Sequence, residues 1–144
     1  MKTSVPGFEV DDDAARIDPD AAWAFLSSDA YWARWRTRCD FDRQLASSWR
    51  VVGAYAVGTG SERMVGFARA VSDGVALAYL ADVYVLEEAR GHGLGEALVR
   101  LMIDEGPGAH FRWMLHTRDA HGLYERFGFA PPGAGFLERP ARLG

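Results

Sequence analysis

A chain of 144 residues, 49% hydrophobic and 25% charged, has an ordinary globular composition and a length that suits one domain spanning 1–144. Its formal charge of −4 excludes the basic footprint of nonspecific nucleic-acid binding, and it favours a cationic acceptor such as an amine only mildly. Cys39 stands alone, which excludes an intramolecular disulfide and a thiolate metal cluster, and no apolar run reaches membrane-spanning length.

The start, Met1 to Gly7, leads into Asp11-Asp12-Asp13 without the apolar stretch of a signal peptide, so a cytoplasmic location is expected. The opening segment reads as a short strand or loop. Asp18-Pro19 then has the form of a helix start, aspartate at the N-cap and proline at the first helical position. Ala21, Ala22, Phe25 and Leu26 supply its apolar stripe. A second helical region rich in Trp and Arg runs from about Asp29 to Ser48, with Asp40 as a cap for its last part.

The pattern changes at Trp49. Trp49–Val57, Met64–Val71 and Val75–Leu86 are β-branched and aromatic, separated by Gly58-Thr59-Gly60-Ser61 and Ser72-Asp73-Gly74. They predict an antiparallel meander joined by tight turns, its third strand apolar on both faces. The period then becomes 3.6. Leu94, Leu98, Leu101 and Met102 share one helix face, Glu96, Arg100 and Asp104 the other, and Gly106-Pro107-Gly108 ends the helix. Phe111–Thr117 is expected as a strand, Asp119–Phe127 as a helix with Asp119 its cap, and Phe136-Leu137-Glu138 as a last strand. This alternation implies a crossover and a parallel pair, hence an α/β (α+β) protein with a mixed, mostly antiparallel sheet.

Between the third strand and the amphipathic helix lies Arg90-Gly91-His92-Gly93-Leu94-Gly95. A helix N-terminus presents unpaired N–H groups and about half a positive charge, and glycines let an anion approach them. A diphosphate held by successive amides beside Arg90 is one reading; a tight strand-to-helix turn is the other. Glu96 and Ala97 stand where a Walker loop has Lys and Ser or Thr, and Gly-x-Gly-x-Gly lacks the dinucleotide spacing.

The run Leu80-Ala81-Asp82-Val83-Tyr84-Val85, followed by Arg90-x-x-Gly93-x-Gly95 with Leu98 beyond, resembles the acetyl-CoA motif of the GNAT N-acetyltransferase superfamily. Leu123-Tyr124-Glu125-Arg126-Phe127-Gly128-Phe129 resembles a second segment of that superfamily. Tyr31-Trp32 and Thr117 to Tyr124 are similar to a small bacterial GNAT group. The resemblance implies a sheet flanked by helices and splayed at the acetyl-CoA site. It implies contacts to acetyl-CoA from the main chain of Val83 and Val85, from Arg90, Gly91, His92, Gly93, Leu94 and Gly95, and from Tyr124.

Amine acetylation needs a neutral nucleophile, and deprotonating a lysine-like amine at pH 7 costs about 4.6 kcal/mol. Asp82 interrupts an apolar strand and matches the position of the base in some GNAT enzymes, directly or through water; pairing with an arginine is the equal alternative. Tyr124 matches the family's tyrosine that protonates the departing thiolate. His121, one helical turn earlier, is placed to tune that phenol, to contact CoA or to act as another base, and equally to bond a carbonyl. His110 and His116 have no metal-ligand spacing, so no metal is expected.

The resemblance implies that the first two helices wall the acceptor site, which makes Tyr31 and Trp32 the acceptor-side candidates, with Tyr55 and Tyr84 as further ones. A helix with an aromatic core face and a solvated basic face is the other reading of 31–38. Nearby arginines would suit a carboxylate or phosphate on the acceptor, and a zwitterion would meet both needs. The expected function is acetyl transfer from acetyl-CoA to a primary amine of a small molecule, without nucleic-acid or membrane partners and with homodimerisation left open. A protein amine acceptor and a non-catalytic acyl-CoA sensor are the alternatives.

Overall fold

The computed structural model describes residues 1–28, 35–58, 60 and 62–143. Six strands form one sheet in sequence order: β1 (Lys2–Val5), β2 (Phe8–Asp11), β3 (Arg50–Ala56), β4 (Arg63–Ser72), β5 (Leu77–Val85) and β6 (Arg112–Met114). Neighbours are antiparallel except β5 and β6, which run parallel. The opening segment is thus a hairpin, extending the meander by two strands.

Helices α1 (Pro19–Ser28) and α2 (Arg38–Ser47) cover one face, and α3 (Leu94–Met102) with α4 (His121–Glu125) the other. The α1/α2 layer is aromatic: Phe25 stacks on Tyr84 at 4.1 Å between centroids, and Phe41 meets Phe67 edge-on. Leu94, Leu98, Leu101 and Met102 bury the predicted stripe of α3 against Val52, Val65, Ala68 and Leu80. Separating helix and sheet faces in this way gives the chain a core on each side of the sheet.

Several predicted boundaries shift for identifiable reasons. Thr37 caps α2 and Asp40 sits at the third helical position, each side chain bonding the other's backbone amide. Asp119 is not the cap of α4: that helix starts at His121, and Thr117 Oγ1 accepts from the Ala120 amide instead. Val75 and Ala76 belong to the turn, because Asp73 accepts from the amides of Val75, Ala76 and Leu77. The expected last strand at Phe136-Leu137-Glu138 does not form. All of 130–143 is exposed, and Pro131, Pro132 and Pro140 lack the amides a sheet edge needs.

Two departures from regular pairing build the site. Phe67 faces Tyr84 while Arg69 faces Ala81, so Asp82 and Val83 together oppose Ala68 in a β-bulge. Asp82 takes φ +57°, the only positive value at a non-glycine residue among those described. The parallel pairing of β5 with β6 covers only Leu77–Tyr79 and Arg112–Met114; beyond Tyr79, β5 runs on to Val85 with no paired strand on that side among the described residues. The sheet forks there.

Candidate functional site

The fork opens into a cavity of about 580 Å³. Leu80, Ala81, Asp82 and Val83 form one wall with Arg36 and Arg69. Leu115–Ala120 and Tyr124 form the other.

Above the fork, a short turn at Glu87–Ala89 leads into the glycine loop. Gly91 and Gly93 have φ +85° and +78°, values that a side chain disfavours, and a Cβ at either position would meet nothing within 4 Å. These glycines serve backbone shape and leave open space over the loop. The first α-helical bond of α3 runs from the Ala97 amide to the Gly93 carbonyl at 3.0 Å. The amides of Leu94, Gly95 and Glu96 therefore have no helical acceptor and stand at the positive end of α3. His92 turns its ring back, bonding the Ala89 carbonyl through Nδ1 at 3.1 Å and packing on Phe8. Only its backbone faces the loop's task. Arg90 donates from Nε to the Val85 carbonyl at 3.1 Å.

Along β5, donors and acceptors alternate between the two edges. The Leu86 amide is bound to Val65 of β4 at 2.8 Å, so the neighbouring main-chain groups of Val85 point to the unpaired edge, and by the same alternation those of Val83. Both side chains pack against the α3-side core.

Asp82 is 7% exposed and fully engaged. Arg36 grips it with two bonds, Nη1 to Oδ2 at 2.9 Å and Nη2 to Oδ1 at 2.7 Å, and Arg69 donates from Nε to Oδ2 at 2.7 Å. Burial alone would push its carboxyl up. The hydrogen bonds from Arg36 and the charge of Arg69 outweigh it and hold the group below the usual carboxylate range. Of the two roles weighed for Asp82, arginine pairing is the one its surroundings display. A carboxylate so stabilised is a weak proton acceptor.

Tyr124 is buried to 8% exposure and lines the cavity; its ring meets Phe129 edge-on at 5.8 Å. Burial, reinforced by the charge of Asp119, pushes its hydroxyl up to about 12. His121 is exposed and bonds the Thr117 carbonyl through Nε2 at 3.2 Å. Tyr55 and Tyr84 do not reach the cavity: both are buried in the aromatic layer, Tyr55 beneath the guanidinium of Arg16 and Tyr84 against Phe25. Tyr31 and Trp32 lie outside the described residues.

A family model for the acetyltransferase (GNAT) family matches residues 17–129, most of the chain. The chain belongs to the GNAT acetyltransferase family. Among solved structures, a protein assigned to that family from Xanthomonas campestris pv. campestris is 35% identical over 96% of each chain, with a TM-score of 0.83. An acetyltransferase-like protein from Deinococcus radiodurans R1 shares 24% identity over 96% of this chain and 93% of its own, with a TM-score of 0.69. Glucosamine-6-phosphate N-acetyltransferase from Arabidopsis thaliana shares the fold, at 13% identity, 92% and 97% coverage and a TM-score of 0.61. Comparison with curated proteins gives no match.

A GNAT protein is an acyltransferase, and the family's donor is acetyl-CoA. The open amides of Leu94, Gly95 and Glu96, with clear space over Gly91 and Gly93, fit the diphosphate of that donor. None of the described helices is long and apolar enough to cross a membrane.

The fold also gathers residues that the sequence did not single out. Tyr79 and His116 both line the cavity, with Tyr79 Oη 2.5 Å from His116 Nδ1, and His116 Nε2 is bonded to Glu138. If Tyr79 donates, His116 carries its proton on Nε2 and passes it toward Glu138, a tautomer set by these partners. Arg69 and Gln44 join through Asp82 and Arg36 respectively. Their separations, 37 residues for Tyr79 and His116 and 46 for Arg36 and Asp82, leave no local spacing signal.

Proposed function

We propose that this enzyme moves the acetyl group of acetyl-CoA to a primary amine of a small molecule. The observation that carries the reading is the cavity at the fork, about 580 Å³, which has the size of a small-molecule site and reaches both Asp82 and Tyr124. In this reading Arg90 and the main chain of Gly91, His92, Gly93, Leu94 and Gly95 hold the donor's diphosphate. The unpaired edge at Val83 and Val85 pairs with the donor's arm, Val85 through its amide N–H because the Val85 carbonyl already accepts from Arg90 Nε. Tyr124 donates a proton or hydrogen bond to the departing sulfur. His121 is kept as a lesser contact to the donor.

The acceptor's proton is better served by the Tyr79–His116–Glu138 chain than by Asp82. Tyr79 takes the proton as it releases its own to His116, whose charge Glu138 then balances. Asp82 orders the two arginines and holds the bulge. His116→Ala and Tyr79→Phe are each expected to lower kcat about 100-fold. Because they interrupt one chain, the double variant should be no slower than the worse single one. Additive losses would separate the two residues.

Gly93→Ala probes the cradle. Forcing a side chain to φ +78° is expected to cost about 1–2 kcal/mol of stability and to raise the KM for acetyl-CoA about tenfold. Thermal denaturation and saturation kinetics read the two effects separately. The deciding experiment for the function is thiol release from acetyl-CoA across a panel of small amines and lysine peptides. Turnover confined to the peptides would make the acceptor a protein, and tight CoA binding without any turnover would make the chain a sensor.

A further inference from the structure

We infer that the acceptor carries an oxyanion beside its amine and that Arg69 receives it, a conclusion that rests on the small-amine reading above. Arg69 projects from β4 with its side chain 7% exposed, yet it lines the cavity. Only its Nε is used within the protein, on Asp82 Oδ2. Among the described residues, Nη1 and Nη2 of Arg69 have no acceptor. Arg36, by contrast, spends Nη1 on Gln44 and Asp82 and Nη2 on Asp82. Arg36 Nε also lacks a partner among the described residues but is sealed from solvent, so the spare donors that can face the cavity belong to Arg69.

Charge points the same way. Two guanidiniums share one carboxylate, which leaves the trio of buried side chains with one positive charge at the cavity wall. A guanidinium's terminal nitrogens match a carboxylate or phosphate in a planar, paired fashion. Asp82 fixes Nε, so the plane of Arg69 is already set, and binding an oxyanion orders little that is not ordered beforehand. The bulge is what brings this about. The extra residue at φ +57° lets Asp82 share the face of the sheet from which Arg69 rises.

The wall after β6 is mixed in charge, with Arg118 and Asp119 both lining it, and His116, which joins Tyr79 of β5 to Glu138, supplies the proton acceptor that an amine end needs. A plain alkylamine would meet that wall but leave the Arg69 fork unpaired. An amine that also bears an oxyanion, of which an amino acid is the simplest form, satisfies both. Carboxylate and phosphate share this chemistry, and the experiment separates them.

The wild-type enzyme with acetyl-CoA is assayed on matched sets: an amino acid, its carboxamide, its decarboxylated amine, and an aminoalkyl phosphate. The amino acid or the phosphate should exceed the carboxamide and the plain amine in kcat/KM by about 10- to 100-fold, the size of a charge-assisted hydrogen bond. Arg69→Gln should collapse that ratio toward one through KM. Equal use of all four amines by the wild type would overturn the inference while leaving the small-amine reading in place. If no amine is turned over, that reading fails, and calorimetric binding of the N-acetyl amino acid against its N-acetyl carboxamide still decides the site. Preference for the acid supports it, and equal affinity overturns it. The same binding comparison on wild-type protein stands if Arg69→Gln does not fold.

Discussion

Tyr124→Phe is expected to lower kcat about 1000-fold while changing the KM for acetyl-CoA less than about twofold. The substitution removes one oxygen from a ring that is otherwise packed against Phe129 and the α3-side core, so the wall it forms should persist. What disappears is the proton that the hydroxyl offers to sulfur. With the hydroxyl pushed up to about 12 and an ordinary thiol near 8.5, full transfer is uphill by roughly 5 kcal/mol in these surroundings. Burial raises a thiol in the same manner, so the gap closes to the extent that the sulfur sits in the same dry wall. A strong hydrogen bond to the developing thiolate already captures much of the benefit without complete transfer. The pH profile follows from the sign of the shift. A raised hydroxyl stays protonated, so Tyr124 should give no alkaline fall in rate below about pH 11. Turnover of Tyr124→Phe close to wild type would remove the residue from the mechanism.

The parts of this protein legible in its sequence are those whose signal is local. Glycines at 91, 93 and 95 next to an amphipathic period marked the cradle, because a helix N-terminus and its glycines are neighbours in the chain. Asp82 stood out because a carboxylate in an apolar strand requires an explanation, but its explanation lay 13 and 46 residues away in Arg69 and Arg36. The bulge was equally hidden. Its φ arises from the register of β4 against β5, which no residue type announces when the strained position is aspartate. His116 looked isolated for the same reason. Tyr79 reaches it only once β5 and β6 pair in parallel, and Glu138 comes from the segment predicted as a strand. No strand forms there: Pro131, Pro132 and Pro140 flank the segment, and all of it is exposed.

Removing the Asp82 carboxylate is expected to destabilise the fold by about 3–5 kcal/mol, because Arg36 and Arg69 would remain charged and buried without it. For a chain of this size that is a fall in Tm of about 10 °C or more. Two variants separate charge from backbone. Asp82→Gly relieves the φ of +57°, whereas Asp82→Ala keeps the strain; if the ion pairs dominate, the two should lie within about 1–2 kcal/mol of each other and both far below wild type. A glycine variant as stable as wild type would mean that the bulge, not the charge, carries the energy. Acid titration offers an independent check. The folded-state carboxyl is held below its ordinary value of 3.8, so its contribution is present above that pH and is lost as the pH falls through the depressed folded value. Wild type should therefore lose stability relative to Asp82→Gly only below about pH 4, the gap between them narrowing as protons reach the wild-type carboxyl. Activity should fail before folding does. Without Asp82 the plane of Arg69 is no longer set by a bond at Nε, so acceptor KM should rise even at temperatures where the variant is fully folded.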